Sequence, residues 1–245
     1  MGNNLRGILL FIFLFTISAK AWGGDPHVTD TTVYLFPGQG SDWRLFKHLE
    51  LPPGYDTVVI SYPVPDKYES LPEYARRFIV KIDQSGPYIL IGVSLGGMIC
   101  TELADTLSPL ETIIISSAKS TDELPKRYTF QQNIRINRLI TRGMTKAGAR
   151  ILQGIVEPDR KYDRETFREM LKAKDPLYLQ RTMDMIINWD RTAFPERIIH
   201  IHGDRDHTIP IKNVRYDYLI KDGSHMMMVT RADEINQILH HLLKP

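Results

Sequence analysis

The 245-residue sequence has one cysteine, Cys100. With a single thiol no intrachain disulfide can form, so a hydrophobic core must hold the fold. Asn-x-Ser/Thr sequons are absent as well. No apolar run reaches the roughly 20 residues that a membrane-spanning helix needs. Charge of one sign is lacking too: 31 Lys and Arg stand against 29 Asp and Glu, a net +2. So even a balance gives no electrostatic case for nucleic acid or for a bulk acidic partner. Internal repeats and low-complexity segments are also missing, which excludes solenoids.

What the sequence does contain begins at its N-terminus. Arg6 precedes the apolar run GILLFIFLFTIS, residues 7–18, and Ala19-Lys20-Ala21 follows. This three-part form is that of a secretory signal peptide over residues 1–21. It predicts an exported, periplasmic or secreted protein whose mature chain starts near Trp22 and has no membrane span. The missing sequons and disulfides favour a bacterial periplasm. Cleavage removes Arg6 and Lys20 and leaves a formally neutral chain. Residues 22–245 suffice for one domain.

Along that domain, short apolar β-rich runs alternate with helical patterns. Strands are expected at Thr31–Phe36, Thr57–Tyr62, Pro87–Ile91, Glu111–Ser117, Arg197–Ile201 and Tyr216–Ile220. A short helix capped by Ser41 or Asp42 is expected through about Leu49. Ser70 is placed to cap an amphipathic helix with Leu71, Tyr74, Ala75, Phe78 and Ile82 on one face. Further helices are expected over 97–107 and 231–243. Residues 122–195 read as a charged helical insertion, broken at Gly143, Gly148, Gly154, Pro158 and Pro176. Alternation of this kind predicts an α/β fold: a mostly parallel, doubly wound sheet of about six strands, with the insertion capping the carboxyl ends of the strands.

The chemistry gathers at that edge. Gly92-Val93-Ser94-Leu95-Gly96 follows a buried strand and opens a helix. A strand–turn–helix of this form holds its serine clear of the sheet, and side chains at Gly92 or Gly96 would collide with the neighbouring strand and helix. The helix N-terminus beside the serine favours negative charge. Asp206 lies three residues after the Gly203 that closes its strand, and His225 follows the last strand in Gly223-Ser224-His225. Ser94 is the candidate nucleophile, His225 the general base and Asp206 the group that orients it. Asp204 competes with Asp206 for that role, and its bland reading is a turn cap. Gly38-Gln39, after the first strand, offers the backbone N–H of Gln39, which with that of Leu95 would bind an oxyanion.

Other patterns read as structural. His200, His202 and Asp206-His207 miss the spacing His-x-His-x-Asp-His, so the two strand histidines are expected in the core, and no metal site is expected. Gly38-Gln39-Gly40 lacks the third glycine of a dinucleotide fingerprint, Trp43 standing there, so no cofactor is expected. Seven basic and no acidic residues lie between Lys126 and Arg150. Arg138, Arg142, Lys146 and Arg150 recur every four residues, a solvated face unless one helix turns them toward an anionic ligand. Met226-Met227-Met228 is expected to pack.

LFPGQG, GVSLGG, HGDRDHTIP and DGSH, in this order and each after a strand, together resemble the α/β-hydrolase family. The resemblance spans the mature chain and implies a capped, esterase- or lipase-like serine hydrolase acting on a small-molecule acyl substrate. Two features depart from the family: Pro37 stands where a histidine is common, and the interval from Asp206 to His225 is short. The family's first two strands find no room in residues 22–30. Three other readings fit the same sequence. LFPGQGS with G-x-S-L-G is similar to malonyl-type acyltransferases, which lack an acid like Asp206; a thioesterase shares the acyl chemistry; and a non-catalytic ligand-binding member of the fold would keep the architecture alone.

Overall fold

The computed structural model describes residues 31–128 and 163–244. The expected signal peptide and the cationic repeat of Arg138, Arg142, Lys146 and Arg150 lie outside these residues.

Among the described residues six strands form one open sheet: β1 Thr31–Phe36, β2 Tyr55–Val59, β3 Tyr88–Val93, β4 Thr112–Ile115, β5 Ile198–Gly203 and β6 Tyr218–Ile220. Their order is β2-β1-β3-β4-β5-β6, and every pairing is parallel. All six residues of β3 are buried, whereas β2, at one edge, is largely exposed.

The four inner strands β1, β3, β4 and β5 are almost wholly buried because both faces are covered. Side chains alternate across the sheet. Tyr34 and Phe36, with Leu90 and Ile114, share one cluster with helices α1 (Leu71–Arg76) and α2 (Leu95–Leu103). Val33 and Leu35, with Ile89, Ile91, Ile113 and Ile115, share the other. There they meet Met226, Met227, Met228 and the apolar side of the C-terminal helix.

Several elements differ from the sequence expectation. The expected helix after Ser41 is one 3-10 turn, Trp43–Phe46, capped by Asp42, whose carboxylate accepts from the Arg44 N–H and pairs with its guanidinium. The second strand starts two residues early and stops at Val59. The Ser70 helix has its capping box with Glu73 but ends at Arg76, and a 3-10 turn Ile79–Lys81 completes it. That tightening is common at helix ends. All five residues expected on its inner face are buried. The helix after Ser94 begins at Leu95, not Gly97, because the Ser94 carbonyl already accepts from the Gly97 and Met98 N–H groups.

Of the expected insertion, the described residues contain a 3-10 turn Thr121–Glu123 and helices α3 Arg164–Lys172 and α4 Pro176–Ile187. Asp163 and Asp175 cap these helices, each accepting a backbone N–H in the first turn. Beyond α4, Trp189 Nε1 and Arg191 both donate to Glu102 of α2, at 2.7 and 3.2 Å. The segment leaving α4 is thereby tied to the helix that carries the serine turn.

Between β5 and β6 there is only a 3-10 turn, Ile211–Asn213, which is why the acid and histidine loops are close in sequence. Helices α5 Met227–Thr230 and α6 Ala232–Leu242 close the chain. No helix among the described residues is long and apolar enough to cross a membrane.

Candidate active site

Ser94 sits at the sharpest point of the backbone between β3 and α2, with φ 53° and ψ −121°. A serine pays a steric penalty at positive φ, so the surroundings must impose it. They do so through glycine. A Cβ on Gly92 would stand 2.4 Å from the Gly96 carbonyl oxygen, and one on Gly96 would stand 2.0 Å from that of Phe36. Strand, turn and helix therefore close to a distance that only glycine permits. The Ser94 N–H donates to the Ile115 carbonyl at 3.0 Å, and Ser117 Oγ donates to the Ser94 carbonyl at 2.7 Å.

The loop after β1 lies against this turn: a Cβ on Gly38 would be 3.2 Å from the Ser94 Cβ. Tyr62 Oη donates to the Pro37 carbonyl at 2.9 Å, which fixes the loop from below. Gln39 does not point its amide at the serine. Its Nε2 donates to the Leu179 carbonyl and to Thr182 Oγ1 of α4, at 3.0 and 2.8 Å. The backbone N–H groups of Gln39 and Leu95 are taken up by no acceptor among the described residues.

The acid and histidine loops are zipped together. Arg205 N–H donates to the Gly223 carbonyl at 3.0 Å, and a Cβ on Gly203 would be 2.2 Å from that same oxygen. Asp204 is exposed and accepts from the Asp222 N–H at 2.7 Å, the turn-cap role that its bland reading assigns. Asp206 is buried. Its Oδ1 accepts from the N–H groups of Thr208 and Ile209, both at 2.8 Å, and its Oδ2 accepts from His225 Nδ1 at 2.7 Å. On the far side of that imidazole, His225 Nε2 is 2.9 Å from Ser94 Oγ. Three groups from three loops, up to 131 residues apart, thus form one continuous hydrogen-bonded line.

The electrostatics suit that line. Burial alone would push the Asp206 carboxyl up. The His225 imidazole and its hydrogen bond, His202, and the Ile209 N–H together bring it below the ordinary carboxylate value. Asp206 stays ionised and can hold an imidazolium at His225. Among the described residues no cluster of three or more His, Cys, Asp or Glu is arranged to hold a metal ion. His200 and His202 are buried on β5, as the sequence indicates.

Sequence reading missed the contacts that tie the insertion to the site. Tyr62 stacks on Tyr178 of α4, with centroids 6.4 Å apart and planes at 24°, and the Gln39 amide reaches the same helix. These partners lie more than 100 residues apart, beyond any periodicity. The one available signal was the amide of Gln39 itself, a strong donor set in a glycine loop.

A family model described as "Alpha/beta hydrolase family" matches residues 18–238. No curated protein sequence matches the chain. Among solved structures, a thermophilic esterase from Thermogutta terrifontis is similar at 14% identity with TM-score 0.70, over 88% of this chain and 90% of that one. The enol-lactonase from Burkholderia xenovorans LB400 has 14% identity and TM-score 0.65, over 91% and 94%. A hydrolase from Pseudomonas aeruginosa PA01 has 16% identity and TM-score 0.64, over 88% and 90%. At these identities the structures speak for the fold. With the parallel six-stranded sheet, the strained serine turn and a family match over most of its length, the chain belongs to the alpha/beta hydrolase family.

Proposed function

We propose that this protein is a serine hydrolase that cleaves a carboxylic ester, or a related acyl compound, through an acyl-enzyme. One observation carries the reading: Ser94 Oγ, His225 and Asp206 lie in line at 2.9 and 2.7 Å. His225 Nε2 accepts the Ser94 proton as Oγ attacks the acyl carbon. The carbonyl oxygen becomes an oxyanion, held by the Gln39 and Leu95 N–H groups. His225 then gives the proton to the departing alcohol oxygen, and the acyl group remains on Ser94. Water repeats the sequence, losing its proton to His225, and releases the carboxylic acid. Asp206 accepts the Nδ1–H throughout and balances the imidazolium. The esterase and enol-lactonase among similar structures support the acyl class. Residues 122–195, including α3 and α4, act as a cap that shapes the acyl pocket. The N-terminal residues direct export of the mature chain from near Trp22.

A fluorophosphonate tests the reading, since it phosphonylates an activated serine and leaves ordinary serines unmodified. The folded protein takes one label, on Ser94, and Ser94→Ala takes none. Folded wild-type protein that takes no label overturns the reading in favour of a ligand-binding member. Release of nitrophenol from short nitrophenyl esters with no acyl acceptor but water separates a hydrolase from an acyltransferase.

A further inference from the structure

Behind Asp206 lies a second imidazole line that the catalytic scheme leaves unused. His200 and His202 alternate onto one face of β5 and are both fully buried, their rings 4.9 Å apart and near perpendicular. Three contacts run in series. His200 Nδ1 is 3.0 Å from the Arg215 carbonyl oxygen. His200 Nε2 is 3.0 Å from His202 Nδ1. His202 Nε2 is 2.9 Å from the Ile209 carbonyl oxygen and 3.7 Å from Asp206 Oδ2. Both ends of the series are acceptors, so three hydrogen bonds need three protons. Two neutral imidazoles carry two.

The surroundings decide which contact goes without. Removing the proton from His202 Nε2 would turn its lone pair toward a carbonyl and a carboxylate together. Taking it from between the rings would set two lone pairs 3.0 Å apart. At the outer end the cost is least, because the Arg215 carbonyl already accepts from Lys119 Nζ at 2.8 Å. Charged and titratable groups face the pair from each neighbouring element. Lys119 and Glu123 come from the segment after β4, Glu123 accepting from the Lys119 and Arg215 N–H groups. Asp217, before β6, accepts from the His200 N–H. Asp206 and His225 come from the two catalytic loops. Burial, above all, pushes both rings down from the ordinary histidine value, which keeps the pair at two protons at neutral pH.

We propose that His202 is a positioning residue for Asp206, held as an Nε2–H donor by a hydrogen bond that its Nδ1 accepts from His200 Nε2–H. The consequence runs through the acid loop. His202 anchors the Ile209 carbonyl, and the Thr208 and Ile209 N–H groups of the same turn both aim at Asp206 Oδ1. With Oδ1 so held, Oδ2 faces His225. The kinetic part of this inference rests on the serine-hydrolase reading; the proton placement does not.

Nitrogen-15 NMR of the folded, histidine-labelled protein at neutral pH reads the proton placement directly, with His200→Gln and His202→Gln assigning the signals. Both rings are expected to be neutral, with protonated Nε2 and bare Nδ1. A bare Nε2 on His202 overturns the proposal. Fluorophosphonate labelling of Ser94 reads the consequence. His202→Gln keeps a donor near the Nε2 position and is expected to label within about threefold of wild type, while His202→Leu falls by about tenfold or more. Equal rates in folded His202→Leu and wild type, or equal losses in the Leu and Gln variants, overturn it. If His202→Leu does not fold, the NMR result decides. Wild-type protein that shows the Nε2–H form yet takes no label supports the His202 placement and overturns the hydrolase reading.

Discussion

Single side chains divide here into those whose atoms would meet substrate and those that hold the backbone in place. Asp206 and Asp204 make the sharpest pair. They stand two residues apart with the same chemistry, but only Asp206 is buried against His225. Asp206→Asn replaces the acceptor that fixes the His225 tautomer, and ester hydrolysis should fall by about 10⁴-fold. Asp204→Asn should change it little. Comparing kcat for the two variants checks this, and the reverse ranking would name the other acid. Gly96 is the matching case on the backbone side. Its missing Cβ makes room for the Phe36 carbonyl, so Gly96→Ala must force β1 or α2 to shift. The melting temperature of that variant should drop sharply, and fluorophosphonate labelling should be lost with it.

At the scale of elements, the loop after β1 is held from two directions, by Tyr62 and by α4 through Gln39. The proposed oxyanion donor at residue 39 is its main-chain N–H, so Gln39→Ala should keep kcat within about tenfold. Loss of an oxyanion donor itself costs about 10²–10³. The variant should instead loosen α4 and raise KM for the ester, as steady-state kinetics would show. Much of this scale was legible beforehand. Loops that follow strands put Ser94, Asp206 and His225 on one edge, because a parallel sheet presents all its carboxyl ends together. Element ends were less legible: the stop at Arg76 and the single turn at Trp43–Phe46 depend on local hydrogen bonds and not on periodicity. The grip of α4 on Gln39 and Tyr62 was hidden, being tertiary contact across more than 100 residues. His200 and His202 were readable as core from their alternation on β5, but their link to each other and to Ile209 needed the fold.

For the molecule as a whole, the burial of two neutral imidazoles ties stability to pH. Both His200 and His202 have their pKa lowered in the folded state, chiefly by burial. Below the ordinary histidine value near 6.5 the unfolded chain gains protons that the folded chain does not, so stability falls as pH falls. The slope reaches about 1.4 kcal/mol per pH unit for each ring until its folded-state pKa is met. Asp206 adds nothing in that window. Its folded-state pKa is depressed, so its contribution is present above the ordinary carboxylate value near 3.8 and is lost only below it. Denaturant midpoints between pH 7 and pH 5 should therefore decline, and His200→Gln should flatten the decline. A flat profile in wild type would mean that the two rings take up protons in the folded protein as readily as in the unfolded chain, which contradicts their burial as neutral imidazoles. The central claim, however, concerns acyl transfer to Ser94, and the measurement closest to it is intact-protein mass spectrometry during turnover of a nitrophenyl ester. The account predicts a transient species heavier by one acyl group, mapped by digestion to Ser94, and its absence from Ser94→Ala. Ester turnover with no acyl group on the protein at any time, or with the acyl group on another residue, would contradict it.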